Sequence, residues 1–197
     1  MKLHDLMLPQ TILQDFSRFL QMKFTFYVTG LINAFFNCSN YTFHEYSIVG
    51  RSWETSRLLC QNSLEGDLVS IEDEEERSFV KNVIKNLATI KYFIGLRKDD
   101  GKWKWLSNQA IVDSSQGKSP WAPGEPKEKD SCTTIFGKYR NSLGRFDDLS
   151  CSRRMKNTGH ICERAVSCTK HERGRSFFVE ESVLKTKNTH SVCFPLL

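Results

Sequence analysis

The residues best suited to chemistry by type and spacing are cysteines and histidines near the C-terminus. Cys168 and His171 are separated by two residues, and His190 and Cys193 repeat that spacing in the reverse order. Thiolates and imidazoles at such spacing are typical of structural zinc sites. In an oxidising compartment the same two cysteines would instead form a disulfide or stay unpaired. The segment lacks a convincing apolar core, which favours the second interpretation over zinc.

Sequence patterns typical of enzymes are absent. The five histidines belong to no nucleophile motif, and there is no Gly-x-Ser-x-Gly, no His-Glu-x-x-His and no phosphate-binding glycine loop. The acidic run from Glu72 to Glu76 is better explained by the start of a helix, where the helix dipole favours negative charge, than by a metal site. The sequence therefore predicts a binding protein and not an enzyme.

Cysteine content and net charge limit the class of protein further. Seven cysteines in 197 residues, together with N-glycosylation sequons at Asn37 and Asn40, favour an oxidising compartment. The odd number leaves at least one thiol unpaired or paired between chains. The net charge of +5 is modest, and basic and acidic residues are interleaved. We therefore expect no nucleic-acid partner.

Residues 1–36 are predicted to be an N-terminal leader. Phe24 to Phe36 is largely apolar and uncharged, which is too short for a transmembrane helix but suits the core of a signal peptide. Lys23 precedes this run, which favours a signal starting at Met22. A weak signal anchor and a buried strand in a chain that is never exported are the alternatives. We expect a secreted protein or one on the extracellular face of the plasma membrane.

A β-hairpin is predicted at the centre of the chain. Tyr92 to Leu96 is a short apolar run rich in aromatic and β-branched residues, as in a buried strand. Asp99-Asp100-Gly101 follows, and these residues tolerate the backbone angles of a tight turn. Trp103 and Trp105 then alternate with lysines, so both indoles are expected on one face of a second strand.

Two helices and a long loop flank this hairpin in the sequence. Ser52 is a good N-cap for a helix from Trp53 to about Asn62. The apolar residues between Asp73 and Leu87 recur at helical spacing, which predicts a second helix with one face in the core. Residues 107–131 include three prolines. A loop of this length inside a compact domain usually has a function.

The order and spacing of these motifs resemble the C-type lectin-like domain. The matching residues are Trp53, Cys60, Leu68 to Ile71, Asp73 to Leu87, Phe93 to Leu96, Trp103, Trp105, Glu125 to Lys127, Cys132, Phe146 to Asp148, Cys151 and Cys162-Glu163. The resemblance implies an α+β fold with two helices flanking small antiparallel sheets, a long ligand-binding loop and two disulfides. It pairs Cys60 with Cys162 and Cys132 with Cys151.

The resemblance also gives the domain limits. We expect a lectin-like domain over residues 37–165 and a poorly ordered tail over residues 166–197. Many members have an extra cysteine pair at the start of the domain. Glu45 and Tyr46 stand where the family often has Cys-Tyr, so that pair is expected to be absent, with Cys38 as a remnant.

In calcium-dependent members of the family, a Glu-Pro-Asn sequence with a cis proline bond, an acid before the cysteine and an Asn-Asp pair bind one calcium ion. The matching positions here are Glu125, Lys127, Asp130, Asp147 and Asp148. Four of them offer the oxygen ligands that Ca²⁺ prefers. Lys127 has an ammonium group, which donates hydrogen bonds and accepts none. Either Lys127 turns outward while calcium binds weakly, or it replaces calcium as an internal cation paired with Glu125 or Asp148.

The resemblance implies an extracellular recognition module, with two hypotheses for its ligand. In the first, the domain binds carbohydrate, as a glycan or glycoprotein, at the weakened calcium site. In the alternative, a calcium-independent domain binds a protein ligand through the same loop. The four acids favour the first hypothesis and Lys127 favours the second. A Trp at the place of Trp121 is more often packed beneath the loop in this family than in contact with a ligand.

Overall fold

The computed structural model describes residues 31–46, 48–64, 66–115, 120–127, 129–139, 141–166, 176–179 and 194–195. These residues form two α-helices and eleven β-strands. In chain order they are β1 (Leu31–Phe36), β2 (Ser39–His44), α1 (Trp53–Leu64), β3 (Asp67–Leu68), α2 (Glu74–Ile84), β4 (Lys91–Asp99), β5 (Lys102–Trp105), β6 (Ile111–Val112), β7 (Cys132–Phe136), β8 (Phe146–Leu149), β9 (Thr158–Ala165), β10 (Ser176–Val179) and β11 (Phe194–Pro195). Within this part of the chain, no helix has the length and apolar character needed to cross a membrane.

The strands join into one sheet with a mixed pairing. The main path runs β11-β10-β1-β2-β9-β4-β5-β6, with β3 beside β9, and β7 between β4 and β8. All pairs are antiparallel except β4 with β9, which is parallel and places Tyr92 opposite Gly159. The α+β class is confirmed. The expected antiparallel pairing holds for every strand pair described except β4 with β9. The long connection between β4 and β9 makes room for the crossover that a parallel pair requires.

The predicted hairpin is formed by β4 and β5. Asp100 and Gly101 have positive φ angles of 48° and 72° at its turn. Trp103 and Trp105 both face the core and are 1% and 3% exposed. Gly95 lies where β4 passes close to the chain after β3, and a Cβ there would be 2.5 Å from the Leu68 carbonyl oxygen. Glycine at this position therefore allows the central strand to pack tightly.

Both helices begin where the sequence predicted. Ser52 Oγ accepts a hydrogen bond from the Thr55 main chain at 3.2 Å, as an N-cap does. Asp73 caps α2 by accepting from Glu76 N at 2.7 Å. The acidic run therefore belongs to a helix start. The helix ends at Ile84 rather than at the predicted Leu87.

Two disulfides join the elements as the resemblance implied. Cys60–Cys162 links α1 to β9, and Cys132–Cys151 links β7 to the turn after β8. Cys38 is also disulfide-bonded, so it is not an unpaired remnant. Glu45 stands where the family often has the second cysteine of its extra pair, so Cys38 is bonded to a cysteine at another position.

Both predicted terminal segments contain a described strand. β1 lies within residues 1–36 and pairs with β2 on one side and with β10 on the other, where Asn33 is opposite Val179. The leader and the domain limits stay predictions. The zinc-like residues Cys168, His171, His190 and Cys193 lie outside the described residues.

Candidate functional site

Main-chain hydrogen bonds hold the predicted binding loop against β8. Phe146 N donates to the Pro120 carbonyl oxygen at 2.8 Å, and Ala122 N donates to the Phe146 carbonyl oxygen at 2.9 Å. Trp121 lies between these bonds and is 1% exposed. Its ring centroid lies 4.9 Å from that of Trp103. Trp121 therefore anchors the loop from beneath and does not face a ligand.

The docked loop places Glu125 and Lys127 at the acidic residues of β8. Glu125 N donates to the Ala122 carbonyl oxygen at 3.0 Å, which closes a turn before Pro126. The Glu125–Pro126 bond is cis, as the resemblance implied. Lys127 N then donates to Asp148 Oδ2 at 2.7 Å. The main chain of the loop is thus tied directly to a carboxylate of the predicted site.

Two lysines are ion-paired with carboxylates of this site. Lys127 Nζ lies 2.5 Å from Glu125 Oε1, and their side chains are 58% and 12% exposed. Lys91, at the start of β4, pairs with Asp147 Oδ2 and lies over the Phe136 ring. The Lys127–Glu125 pair, whose lysine is exposed, stabilises the fold by about 1 kcal/mol at most. The pair matters mainly because it places a positive charge at the site.

Asp130 enters the arrangement through its main chain. Its carbonyl oxygen accepts a hydrogen bond from Lys98 Nζ at 3.3 Å. The next residue, Ser131, donates its N–H to the Leu149 carbonyl oxygen at 3.3 Å, at the end of β8. Asp130 is therefore fixed beside β8, while Glu125 and Asp148 form the centre of the site.

The charges at this centre interact strongly. Burial, followed by the adjacent Asp148 carboxylate, raises the pKa of Glu125 to about 7, against the lowering effect of Lys127. The hydrogen bond to Glu125 in turn raises the pKa of Lys127, so its ammonium stays charged. Within the described chain, Glu125 Oε2 and Asp148 Oδ1 are buried with no hydrogen-bond partner. Such oxygens mark a place for a proton, a water or a cation.

The donor set in this arrangement does not fit calcium. Ca²⁺ takes about six to eight oxygen ligands. Here Lys127 holds Glu125 Oε1, and Lys91 holds Asp147 Oδ2. Ammonium groups this close also repel a divalent ion. Two protein cations thus lie where the resemblance places one calcium, and calcium binding by these residues stays a prediction.

Lys91 is the residue of this candidate site that the sequence did not indicate. It is 56 positions from Asp147 in the chain and begins the apolar run of β4. The pairing of β4 with β7, and of β7 with β8, brings the two side chains together. In the sequence, Lys91 is recognisable only as a lysine at the start of an apolar strand. That pattern does not indicate which carboxylate it pairs with.

A second group of potential metal ligands lies at β2 and β9. His44, His160 and Cys162 offer ligand atoms within 4.8 Å of one another. The Cys162 sulfur is bonded to Cys60. Burial and the nearby charge of Arg51 both lower the pKa of His44. A bonded sulfur and a neighbouring guanidinium make this group unsuitable for a metal ion.

The predicted glycosylation residues differ in their surroundings. Asn37 lies in the turn between β1 and β2 and is exposed. Asn40 is half-buried within β2, which is paired with a strand on each side. Glycosylation at either residue stays a prediction.

Comparison with known proteins identifies the family of this arrangement. The model of the lectin C-type domain family matches residues 49–164, more than half of the chain. The chain belongs to the C-type lectin domain family. Mouse (Mus musculus) P-selectin is 30% identical to it over 117 residues, which are 57% of this chain and 15% of P-selectin. The chain therefore spans less than a sixth of that relative.

Solved C-type lectin domains agree with the fold. The carbohydrate-recognition domain of cow CD23, solved in the presence of a GlcNAc2Man3 oligosaccharide, is 29% identical with a TM-score of 0.53. The match covers 68% of this chain and 92% of that one. SPL-1 in complex with GlcNAc is 27% identical with a TM-score of 0.54, covering 66% and 90% of the two chains.

Proposed function

We propose that this C-type lectin domain is a recognition module that binds carbohydrate without calcium, at the site formed by Glu125, Lys127 and Asp148. The observation that supports this is the position of Lys127 Nζ, 2.5 Å from Glu125 Oε1. An ammonium group has three N–H donors. Sugar hydroxyls accept from such donors and donate to neighbouring carboxylates. Lysine thus replaces calcium as the positive charge of the site.

Two further observations support this proposal. CD23 and SPL-1, which are similar to this chain over most of their own length, were solved with sugars. The disulfides Cys60–Cys162 and Cys132–Cys151 favour an oxidising compartment. We therefore place the protein outside the cell, secreted or on the cell surface, and assign it recognition rather than catalysis.

Binding of the full-length, oxidised chain to immobilised GlcNAc- and mannose-containing glycoproteins tests this function. We expect the same binding in calcium and in chelator, and a loss of at least about tenfold in Lys127→Ala, since a charged hydrogen bond is removed. Lys129→Ala, two residues further on, is the matched control and should bind normally. Binding that disappears in chelator contradicts the proposal. Absence of binding to every glycan would favour the protein-ligand alternative.

Calcium-dependent carbohydrate binding is the second candidate. It is favoured by the buried oxygens Glu125 Oε2 and Asp148 Oδ1, which have no partner in the described residues. If Lys127 swings outward, these oxygens become available to an ion. Thermal unfolding of the full chain with calcium and with chelator separates the candidates, because an ion that binds only the folded state raises the midpoint. A rise that is lost in Asp148→Asn would support the second candidate.

A further inference from the structure

Apolar side chains project into solvent from the connection between β2 and α1. Ile48 and Val49 are 81% and 77% exposed, and Tyr46 just before them is 47% exposed. We call these three residues the apolar tip. Gly50, with φ of +64°, ends the turn. Arg51 then pairs with Met155 in an isolated bridge, with main-chain hydrogen bonds of 3.1 and 2.9 Å. The tip is therefore held at its base.

Exposed basic residues lie directly beside the apolar tip. Arg154 Nε donates to the Gly50 carbonyl oxygen at 3.4 Å. The Lys156 side chain also lies close to Gly50, because its Cγ would be 3.3 Å from a Cβ placed there. Arg153, Arg154 and Lys156 are all exposed. We call these three the basic collar.

Basic residues outnumber acidic residues in the two segments that form this surface. Residues 48–54 and 151–157 contain four basic residues and one acid, Glu54, a net charge of +3 out of +5 for the chain. Arg51 is half-buried, and after burial its charge contributes to the lowered pKa of both His44 and His160. The collar residues remain for contact with an external partner.

We propose that the apolar tip and the basic collar form a docking surface for an anionic phospholipid membrane. Two adjacent exposed β-branched residues are costly in water and favourable at the boundary between headgroups and acyl chains. Lysine and arginine beside such residues gain from the negative surface of the same membrane. A soluble polyanion would satisfy the collar but leave the tip in water. A membrane carries both complementary features, and this surface shares no residue with the proposed carbohydrate site.

Co-flotation of the full-length chain with vesicles tests this proposal. We expect at least about tenfold tighter binding to phosphatidylcholine vesicles that contain phosphatidylserine than to pure phosphatidylcholine, with a decrease at high salt. The paired substitution Ile48→Ser with Val49→Ser should weaken binding to anionic vesicles at least about tenfold, because it removes two apolar side chains. Leu58→Ser is the matched control, since Leu58 is a 56% exposed residue on α1.

The collar is tested by the paired substitution Arg154→Gln with Lys156→Gln. It should remove most of the preference for anionic vesicles, whereas Lys85→Gln with Lys102→Gln, elsewhere on the surface, should not. Thermal midpoints confirm that each variant is folded, and the salt dependence of the unmodified chain is an independent measure of the same charges. Equal binding to neutral vesicles, or full binding by the Ile48/Val49 variant, would overturn the proposal. So would binding to soluble heparin without binding to vesicles.

Discussion

Lys127 is the residue at which this domain departs most from the calcium-binding pattern of its family. An asparagine at that position offers an amide oxygen to an ion, whereas lysine offers only donors and a positive charge. In the structure this charge lies on Glu125, and the Lys127 main chain holds Asp148 at 2.7 Å. A single side chain thus changes the electrostatics of the site while leaving its backbone contacts in place.

Lys127→Asn should therefore create a calcium site. The substitution restores a ligand and frees Glu125 Oε1, so calcium at about 100 times its dissociation constant would stabilise the fold by about 2.7 kcal/mol. The measurement is the thermal midpoint of the full chain with calcium and with chelator. The control is Lys129→Asn, which should not respond. A variant that does not respond to millimolar calcium would contradict this prediction and would leave Lys91, paired with Asp147, as a sufficient barrier to the ion.

Glu76 determines part of the pH dependence of stability. It is 7% exposed, and its carboxylate accepts from the Tyr41 hydroxyl at 2.5 Å. Burial raises its pKa from 4.5 to about 7. The folded state thus favours the protonated acid, and the stability this confers is lost as pH rises through about 7.

Glu76→Gln should remove this loss, because the amide does not ionise. We expect the difference in unfolding free energy, variant minus wild type, to rise by about 2–3 kcal/mol between pH 5 and pH 8. Urea unfolding at both pH values measures it. Glu75→Gln, at an exposed neighbouring residue, is the control and should leave the difference unchanged. A constant difference for Glu76→Gln would disprove this account.

At the scale of elements, the two disulfides are expected to have different effects on stability and on the position of the binding loop. Cys60–Cys162 spans 102 residues, and Cys132–Cys151 spans 19 residues. Chain entropy gives them about 4.7 and about 3 kcal/mol of stabilisation respectively. The shorter one ties the start of β7, next to Asp130, to the turn after β8, close to Asp148.

Removing each disulfide with a paired Cys→Ala substitution should distinguish the effect on stability from the effect on glycan binding. We expect the Cys60/Cys162 variant to lose more unfolding free energy than the Cys132/Cys151 variant. Glycan affinity per folded molecule should fall only when Cys132–Cys151 is removed, since the loop is then no longer fixed to β8. Urea unfolding and glycoprotein binding give the two values. Equal affinity in both variants would show that Trp121 and the main-chain bonds fix the loop alone.

At the scale of the whole molecule, stability in acid depends on a stacked histidine pair where β2 meets β9, of which His44 is half-buried and His160 is buried. His44 and His160 stack with ring centroids 4.2 Å apart. Burial, followed by the charge of Arg51, lowers the pKa of His44 to about 4, and burial also lowers that of His160. Folding thus favours the neutral rings, and stability is lost as pH falls from about 6.5 through the lowered values.

His44→Gln should make the domain less sensitive to acid. From His44 alone, wild type is expected to lose about 2 kcal/mol between neutral pH and pH 5, opposite in sign to the effect of Glu76. The difference in unfolding free energy between variant and wild type should shift by this amount. His160 remains in the variant, so the remaining acid sensitivity reports on it. An unchanged pH profile would contradict the assignment.

The sequence by itself determined the local elements and the family. Alternating tryptophans and an Asp-Asp-Gly turn specify the β4–β5 hairpin, because strand period and turn angles are local properties of the chain. Ser52 and the acidic run from Glu72 to Glu76 specify the helix starts for the same reason. The order of the cysteines, together with the resemblance to the family, predicted the Cys60–Cys162 and Cys132–Cys151 disulfides. Local geometry and an order of motifs that resembles the family's were sufficient for this part of the fold.

Only the tertiary structure decided which cation meets which carboxylate. Lys91 reaches Asp147 through three paired strands, and the Glu125–Lys127 contact exists beside Asp148 because the loop docks on Phe146. The parallel β4–β9 pair and the apolar tip beside Arg154 and Lys156 likewise join residues far apart in the chain. Such contacts depend on how the elements pack together, and side-chain type and spacing along one segment do not contain that information.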